Sequence, residues 1–358
     1  MNIFATGWLL AFQSMRRPTK FLQGFFTKKP GGTYNGESVE IDIQRFGEDV
    51  AVALRQGVSY NLNDADVVTT KEFTPPVYGE AFPANVADLV KRIAGVDQYT
   101  DAYNGYAQKL VRKLMTYFML GMDKVSRGLE LQAAQILQTG KLVLADSAGT
   151  VFELDFKPKA THFPTVSTAW ANTASDKLGD LQALGDVIRK DGQVNPNILI
   201  FGSTAWKQFL ADDKVQAALD KRRIDIGEIS PRMVASGAVF CGMVWIGAYQ
   251  YQLWTYAEGY KDPVTGNWKT YIDADKVVMT SDQTRLDLVS AIVPLPLGPD
   301  PRVAALMPGR LVDDPMGLDV TPNLWCTPDG KQLMAEINSR PLLIPVQIDG
   351  FGCLDTQP

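Results

Sequence analysis

The 358-residue sequence predicts an α+β fold with more extended structure than one compact body needs, and three observations carry that prediction. Residues 38–54 alternate apolar and polar side chains, the mark of half-buried strands. Residues 103–136 repeat apolar side chains every three or four positions, the mark of one long helix. Residues 175–290 mix short helical and strand patterns, as a separate α/β lobe would.

The elements follow in order. An N-terminal arm carries Trp8, Leu9 and Phe12, then Phe21, Leu22, Phe25 and Phe26, and ends at Pro30-Gly31-Gly32, which reads as a hinge. It has apolar anchors but no room for its own core, so it must lie against something, either a neighbouring surface or its own body. Next, Val39, Ile41 and Ile43 face one way and Glu40, Asp42 and Gln44 the other, with Val50, Val52 and Leu54 after a turn at Gly47. These form an antiparallel ribbon whose far end is marked by polar turn-formers over 59–66, a stretch that also holds Tyr60. The stretch "TTKEFTPPVYGEAFP" (69–83) returns towards the body, with Phe73, Tyr78 and Phe82 as anchors. Pro75, Pro76 and Pro83 cannot donate to a ladder, so this segment belongs at an edge. A two-stranded ribbon is marginal alone and is expected to lie on another copy.

The helix has Tyr103, Tyr106, Leu110, Leu114, Phe118, Met122, Val125, Leu129, Ala133 and Ile136 on one face. At 1.5 Å per residue it would span about 50 Å, more than one lobe requires. Lys109, Arg112, Lys113, Lys124 and Arg127 lie mostly off that face and read as solvated. Gly140 is placed as a helix cap. A hairpin over Leu142–Phe156 turns at 146–149. Ser175 is expected to cap the helix carrying Leu178, Leu181, Leu184 and Ile188. "NILIF" (197–201) reads as a buried strand, and Thr204–Leu210 and Asp213–Lys221 as short helices. Strands are expected near 239–246, 249–256 and 276–280. Eight of the 21 prolines fall in 291–330, an irregular connection, and 333–348 returns to strand.

Composition narrows the function. With 46% apolar and 21% charged residues the chain should bury real cores, and no apolar run reaches the roughly 18 residues of a membrane span. Arg16 and Arg17 follow the first apolar run where a signal sequence would have basic residues before it, so a cytoplasmic product is expected. Cys241, Cys326 and Cys353 are odd in number and far apart, which suggests buried hydrophobes and neither a disulfide framework nor a metal site. Net charge is −5, yet residues 1–36 carry Arg16, Arg17, Lys20, Lys28, Lys29 and no acid, so the remainder stands at −10. A basic arm precedes an acidic body that would repel DNA.

Catalytic chemistry finds little support. His162 is the one histidine and lies in a Pro-flanked loop, a poor place to hold a base. No phosphate loop, dinucleotide fingerprint, nucleophile elbow or zinc-protease motif is present. The pairs Asp64/Asp66, Asp212/Asp213, Asp273/Asp275 and Asp313/Asp314 sit in turn-like contexts, and the aromatic run 245–256 reads as a strand face. No catalytic residue, cofactor or metal site is expected.

Features costly for a monomer become reasonable when neighbouring copies complete them. At this point the order of parts resembles a known family. The residues are "ATGWLL" (5–10), "EFTPPV" (72–77), "ILQTGKLVL" with "VFELDF" (136–156), "ILIFGSTAWKQF" (198–209) with "LDKRR" (219–223), and "NLWCTPDGKQLMAEINSRPLLIP" (323–345). Collinear over essentially the whole chain, they resemble the lambda-type bacteriophage major capsid protein, the E family, within the Hong Kong 97-like capsid fold. The resemblance implies an N-arm at 1–32, an extended E-loop at 33–83, a P-domain at 84–174 with a spine helix, an A-domain at 175–322 and returning P-domain strands at 323–358. It implies hexamers and pentamers closing an icosahedral head around double-stranded DNA, with no sequence-specific binding and no membrane. A scaffolding protein, a portal protein and a decoration protein are the implied partners, and the virion, assembled in the host cytoplasm, is the implied location. Inter-subunit contacts are expected at Trp8, Phe12, Phe25, Phe26, Tyr60, Phe73, Pro75, Pro76 and Tyr78. The alternatives are a cellular nanocompartment shell of the same fold and a hydrolase using an acidic pair.

Overall fold

The computed structural model describes residues 20–34, 39–45, 67–73, 75–85, 106–146, 149–220, 232–233, 237–291, 293, 320–329 and 332–358. Its strands in chain order are β1 (Thr27–Tyr34), β2 (Val39–Arg45), β3 (Val67–Phe73) and β4 (Tyr78–Asn85), followed by the long helix α1 (Tyr106–Thr139). The hairpin β5 (Lys141–Asp146) and β6 (Gly149–Asp155) comes next, and then α2 (Lys177–Gly192), β7 (Ile198–Phe201), α3 (Ser203–Leu210) and α4 (Asp213–Asp220). After these run β8 (Arg232–Met233), β9 (Ala238–Ile246), β10 (Tyr249–Tyr256), β11 (Gly259–Lys261), β12 (Trp268–Thr270), β13 (Lys276–Thr280) and β14 (Leu286–Ala291). The chain closes with β15 (Thr321–Cys326), β16 (Gln332–Ser339), β17 (Pro341–Pro345) and β18 (Gly352–Asp355).

The 34 residues of α1 span about 51 Å at 1.5 Å per residue, and the helix is that long because it serves two cores in succession. Leu110, Leu114, Phe118, Met122 and Val125 pack on the sheet β15-β16-β4 with Ala84, Leu324, Ala335 and Ile337. One register further on, Leu129, Ala133, Ile136 and Leu137 enter a second core with Leu142, Leu154, Phe156, Leu342 and Ile344. Gly140 then ends the helix in the left-handed region, φ 64°, its amide donating to Ile136 O at 2.8 Å. A Cβ at that position would collide with Pro158.

A third core lies across a six-stranded sheet ordered β18-β13-β7-β10-β9-β8. All four residues of β7 are buried because its two faces serve different cores. Leu199 and Phe201 join Tyr251, Leu253, Val277 and Met279 beneath Leu181, Leu184 and Ile188 of α2 and Phe209 of α3. Ile198 and Ile200, with Val278 and Cys353, face the core that α1 enters. Such double burial explains the uninterrupted apolar run that "NILIF" presents.

Several expectations change. Pro30-Gly31-Gly32 lies within β1, which pairs parallel to β14, so the expected hinge is strand; its register slips between Lys28 and Thr33, where the prolyl nitrogen cannot donate. Ser175 does not cap α2: its hydroxyl donates to Asn172 O at 2.7 Å, and the helix begins after Asp176. The return stretch of the ribbon finds its partners within the chain. There β3 pairs with β2 from Val39↔Phe73 to Arg45↔Val67, and β4 pairs with β16 from Tyr78↔Ser339 to Asn85↔Gln332. Pro83 is tolerated because β4 is an edge strand. Strand β18 joins the lobe sheet beside β13, while β14 pairs with β17. Most of the proline-rich connection, residue 292 and residues 294–319, lies outside the described residues.

Candidate functional site

Two helical i,i+4 pairs on α1, offset by two residues, hold the two extended elements of the chain. Ser126 and Glu130 point to the arm, and Gly128 and Gln132 to the ribbon's return. A two-residue offset is about 200° round a helix, so the same two turns present nearly opposite sides.

On one side, the arm enters as a short 3-10 turn at Leu22–Phe25. The Leu22 amide donates to Glu130 Oε1 at 2.9 Å, the Gln23 amide to Oε2 at 3.0 Å, and Gln23 Nε2 to Ser126 Oγ at 3.0 Å. Tyr256 adds its hydroxyl to Glu130 Oε1 at 2.6 Å. Leu22 and Phe26 are buried in the second core, and the Phe21 ring lies 5.1 Å from Trp254 and 5.5 Å from Tyr256. Burial pushes the Glu130 carboxyl above its ordinary range, although Tyr256, the two amides and Lys20 pull the other way.

On the other side, Tyr78 lies over Gly128, where a Cβ would come within 2.9 Å of its Cε1. Gln132 Nε2 donates to the Tyr78 hydroxyl at 2.8 Å, and Gln132 Oε1 accepts from the Leu343 amide at 3.3 Å. Burial raises the Tyr78 hydroxyl to about 12, with the Gln132 hydrogen bond offsetting part of the effect. Further along β4, Phe82 stacks on Tyr117 at 5.4 Å, and Lys124 pairs with Glu80 at 2.6 Å while lying over the Phe82 ring. That ion pair is exposed and contributes little; aromatic packing and the Gln132 bond set the seam.

The expected contact residues fall in different places. Phe26 is buried in the protein's own core and Phe25 packs at its edge, 5.3 Å from Phe21. Of these two, Phe26 therefore leaves little surface for a neighbour, and the own-body alternative for the arm holds for its second half. Pro75 is buried and Pro76 half-buried between β3 and β4; Tyr78 is half-buried at the seam. Phe73 ends β3, while Trp8, Phe12 and Tyr60 lie outside the described residues. Exposed apolar side chains among the described residues include Val77 beside the ribbon's return, Met119 and Leu120 on α1, Met243 and Trp245 on β9, and Val264 and Trp268 on the β11–β12 hairpin.

The other candidates are structural. His162 is fully buried, with Nδ1 3.0 Å from Phe351 O and Nε2 3.4 Å from Asp191, tying its loop to α2 and the C-terminal segment. Asp212 pairs with Lys177 at 3.4 Å and accepts from the Lys214 amide; Asp273 pairs with Lys276 at 2.7 Å. Asp64/Asp66 and Asp313/Asp314 lie outside the described residues. Among the described residues no cluster of His, Cys, Asp and Glu could hold a metal ion, and no helix is long and apolar enough to cross a membrane.

Sequence reading missed Ser126, Glu130, Gln132 and Gln138, all buried in α1. The signal available was "LELQAAQILQ" (129–138), a helical stretch with polar residues between apolar positions on nearly every side.

Solved structures share this architecture. A protein assigned as the capsid protein of a prophage of E. coli CFT073 matches with TM-score 0.66 at 14% identity, covering 98% of this chain and 97% of that one. A phage-related protein from Bordetella bronchiseptica RB50 matches with TM-score 0.51 at 11% identity, covering 98% and 96%. The mature capsid of bacteriophage PhiM1 is a more distant likeness, TM-score 0.44 at 12% identity, covering 96% and 88%. A search of curated proteins gave no sequence match. An arm, a two-stranded ribbon and a long helix shared between cores, in this shared architecture, make up the Hong Kong 97-like capsid fold. Residues 11–351 match the model of the phage major capsid protein E family, and the chain belongs to that family. It is accordingly a major capsid protein of a bacteriophage, a structural component of an icosahedral capsid in the virion.

Proposed function

We propose that copies of this chain associate as hexamers and pentamers and close the head around double-stranded DNA, with the ribbon of each subunit lying on its neighbour. The observation that carries the reading is the isolation of the ribbon: β2 and β3 form a two-stranded sheet that shares no ladder with the body among the described residues. A ribbon of seven paired residues per strand is marginal in water and gains stability from a surface beneath it. The exposed Val77, Met119 and Leu120 supply apolar area for contact between copies.

In this reading the N-arm is 1–32, the E-loop 33–83, the P-domain 84–174 with 323–358, and the A-domain 175–322. The role is structural rather than enzymatic. A scaffolding protein and a portal protein guide assembly in the host cytoplasm, and a decoration protein is a candidate for the outer surface. The acidic body keeps the genome unbound and releasable. The contact set is Trp8, Phe12, Tyr60, Phe73 and Pro76, with Phe25 and the half-buried Tyr78 at its edge and Phe26 and Pro75 supporting from within. Negative-stain electron microscopy of the chain expressed with its neighbouring genes tests the reading. Angular shells or hexamer and pentamer intermediates support it, and only monomers under assembly conditions contradict it.

A further inference from the structure

We propose that Pro341, at the one-residue joint between β16 and β17, is the positioning residue of the ribbon: it locks the angle between the two sheets on which the ribbon's legs stand, and so aims the ribbon. The joint is a property of the single chain. Its consequence for assembly rests on the reading that the ribbon lies on a neighbouring subunit.

The two legs stand on different sheets. The outgoing leg leaves β1, whose last residues Thr33 and Tyr34 are in register with Ser290 and Ala291 of β14, in the sheet β1-β14-β17. The returning leg enters β4, whose first residue, Tyr78, is in register with Ser339 of β16, in the sheet β15-β16-β4. Strand β16 ends at Ser339 and β17 begins at Pro341, so on this stretch of chain Arg340 alone separates the two sheets. Both roots meet at that joint: Tyr78 lies opposite Ser339, and Tyr34 lies opposite Ala291, whose amide donates to Arg340 O at 3.0 Å.

The joint is stiff. The Pro341 ring fixes its own φ, and a residue that precedes proline, here Arg340, is confined to extended backbone. Both carbonyls of the joint are also held: Arg340 O by the Ala291 amide, and Pro341 O by Gln132 Nε2 at 3.4 Å, the same group that donates to the Tyr78 hydroxyl. Proline is tolerated here because it opens the strand. Little slack follows the roots. Residues 35–38 and 74–77 join them to the first ribbon pair, Val39↔Phe73, and Pro75 and Pro76 stiffen the second link. Five residue steps from Tyr34 to Val39 reach at most about 17 Å. The ribbon's direction therefore follows the angle between the sheets. From Val39 to Arg45 it runs about 20 Å at 3.4 Å per residue, so a swing of roughly 10° at its root carries Arg45 about 3.5 Å.

The test is the distance distribution between spin labels at Arg45→Cys on the ribbon and Thr116→Cys, an exposed site on α1, in the unassembled full-length chain. Cys241 and Cys326 are replaced by Ser, and Cys353 is buried. With Pro341 in place the distribution should show one narrow peak. Pro341→Gly, which frees both residues of the joint, should widen it by about 3.5 Å or more, the displacement that a root swing of roughly 10° produces. Pro341→Ala should fall between the two, and it carries the comparison alone if the glycine variant does not fold. Pro345→Ala removes the other proline of β17, away from the joint, and should leave the width unchanged, which separates a joint from a general loosening of the strand. A broad distribution with Pro341 in place, an unchanged width in Pro341→Ala, or equal widening in Pro345→Ala would overturn the proposal. In particles, Pro341→Ala shells should scatter in diameter where unmodified shells are uniform, and uniform variant shells would overturn the joint's part in assembly. The spin-label result is read on the single chain, so failure of the joint and failure of the neighbour-contact reading are distinguished.

Discussion

Replacing Gln132 by Leu keeps the size of the side chain while removing its hydrogen bonds at the ribbon's root. The Leu343 amide, on the edge of β17 that faces α1, loses its Gln132 acceptor at 3.3 Å, and Tyr78 loses its donor at 2.8 Å. An unsatisfied buried amide costs about 1–3 kcal/mol and a lost neutral hydrogen bond about 1 kcal/mol. The added apolar burial returns about 1 kcal/mol, which leaves a net destabilisation of about 2 kcal/mol. Tyr78→Phe alone should cost about 1 kcal/mol. Because both changes remove the same bond, the double variant should cost less than the sum of the singles by about 1 kcal/mol. Urea unfolding at constant slope gives the three values. Strict additivity, or a neutral Gln132→Leu, would refute the claim that Gln132 couples the helix to the ribbon's return.

Three further outcomes follow from the same structure. Phe118→Ala, at a fully buried position of the first core, should cost about 3–5 kcal/mol and raise amide exchange in β4, β15 and β16 while leaving β7 and β13 protected; exchange rising equally in all five strands would contradict the division into two cores along α1. Val77→Asp, at an exposed position beside the ribbon's return, should leave the chain folded by circular dichroism yet prevent shell formation; it is the better probe because neighbouring Pro75 is buried, and normal shells would count against the ribbon contact. Lys269, with the Val264 amide and Thr265 hydroxyl, holds the Asp262 carboxyl at about 2, and Lys159 holds Asp191 below its ordinary range. Both depressed values give stability that is present above the ordinary carboxylate range and lost as pH falls towards about 2. The unfolding midpoint should therefore drop on the acid side, less steeply in Lys269→Met, and an identical acid branch in that variant would contradict the assignment.

What the sequence made legible was whatever repeats locally. The period of α1 marks Leu110, Leu114, Phe118, Met122, Val125, Leu129, Ala133 and Ile136, and all are buried. The hairpin pairs Leu142 with Leu154 as its alternation suggests. The functional seam was illegible because its polar residues answer to backbone groups far along the chain. Glu130 bonds Leu22 and Gln23 across 108 and 107 positions, and Gln132 reaches Leu343 across 211. No local pattern distinguishes such a residue from a solvated one. The aromatic run of the arm is ambiguous for a related reason: Phe25 and Phe26 announce an apolar partner without saying whose it is. The hinge reading of Pro30-Gly31-Gly32 rested on turn chemistry, which an edge strand with a slipped register accommodates.

The most direct test of the account is a cryo-electron microscopy map of assembled particles, fine enough to trace side chains. The account predicts closed shells in which each subunit's Leu22–Phe25 turn and Tyr78 sit on its own α1, at Glu130 and Gln132, while its β2–β3 ribbon lies on a neighbouring subunit. A ribbon folded back on its own body, or an arm turn docked on another subunit's helix, would contradict it.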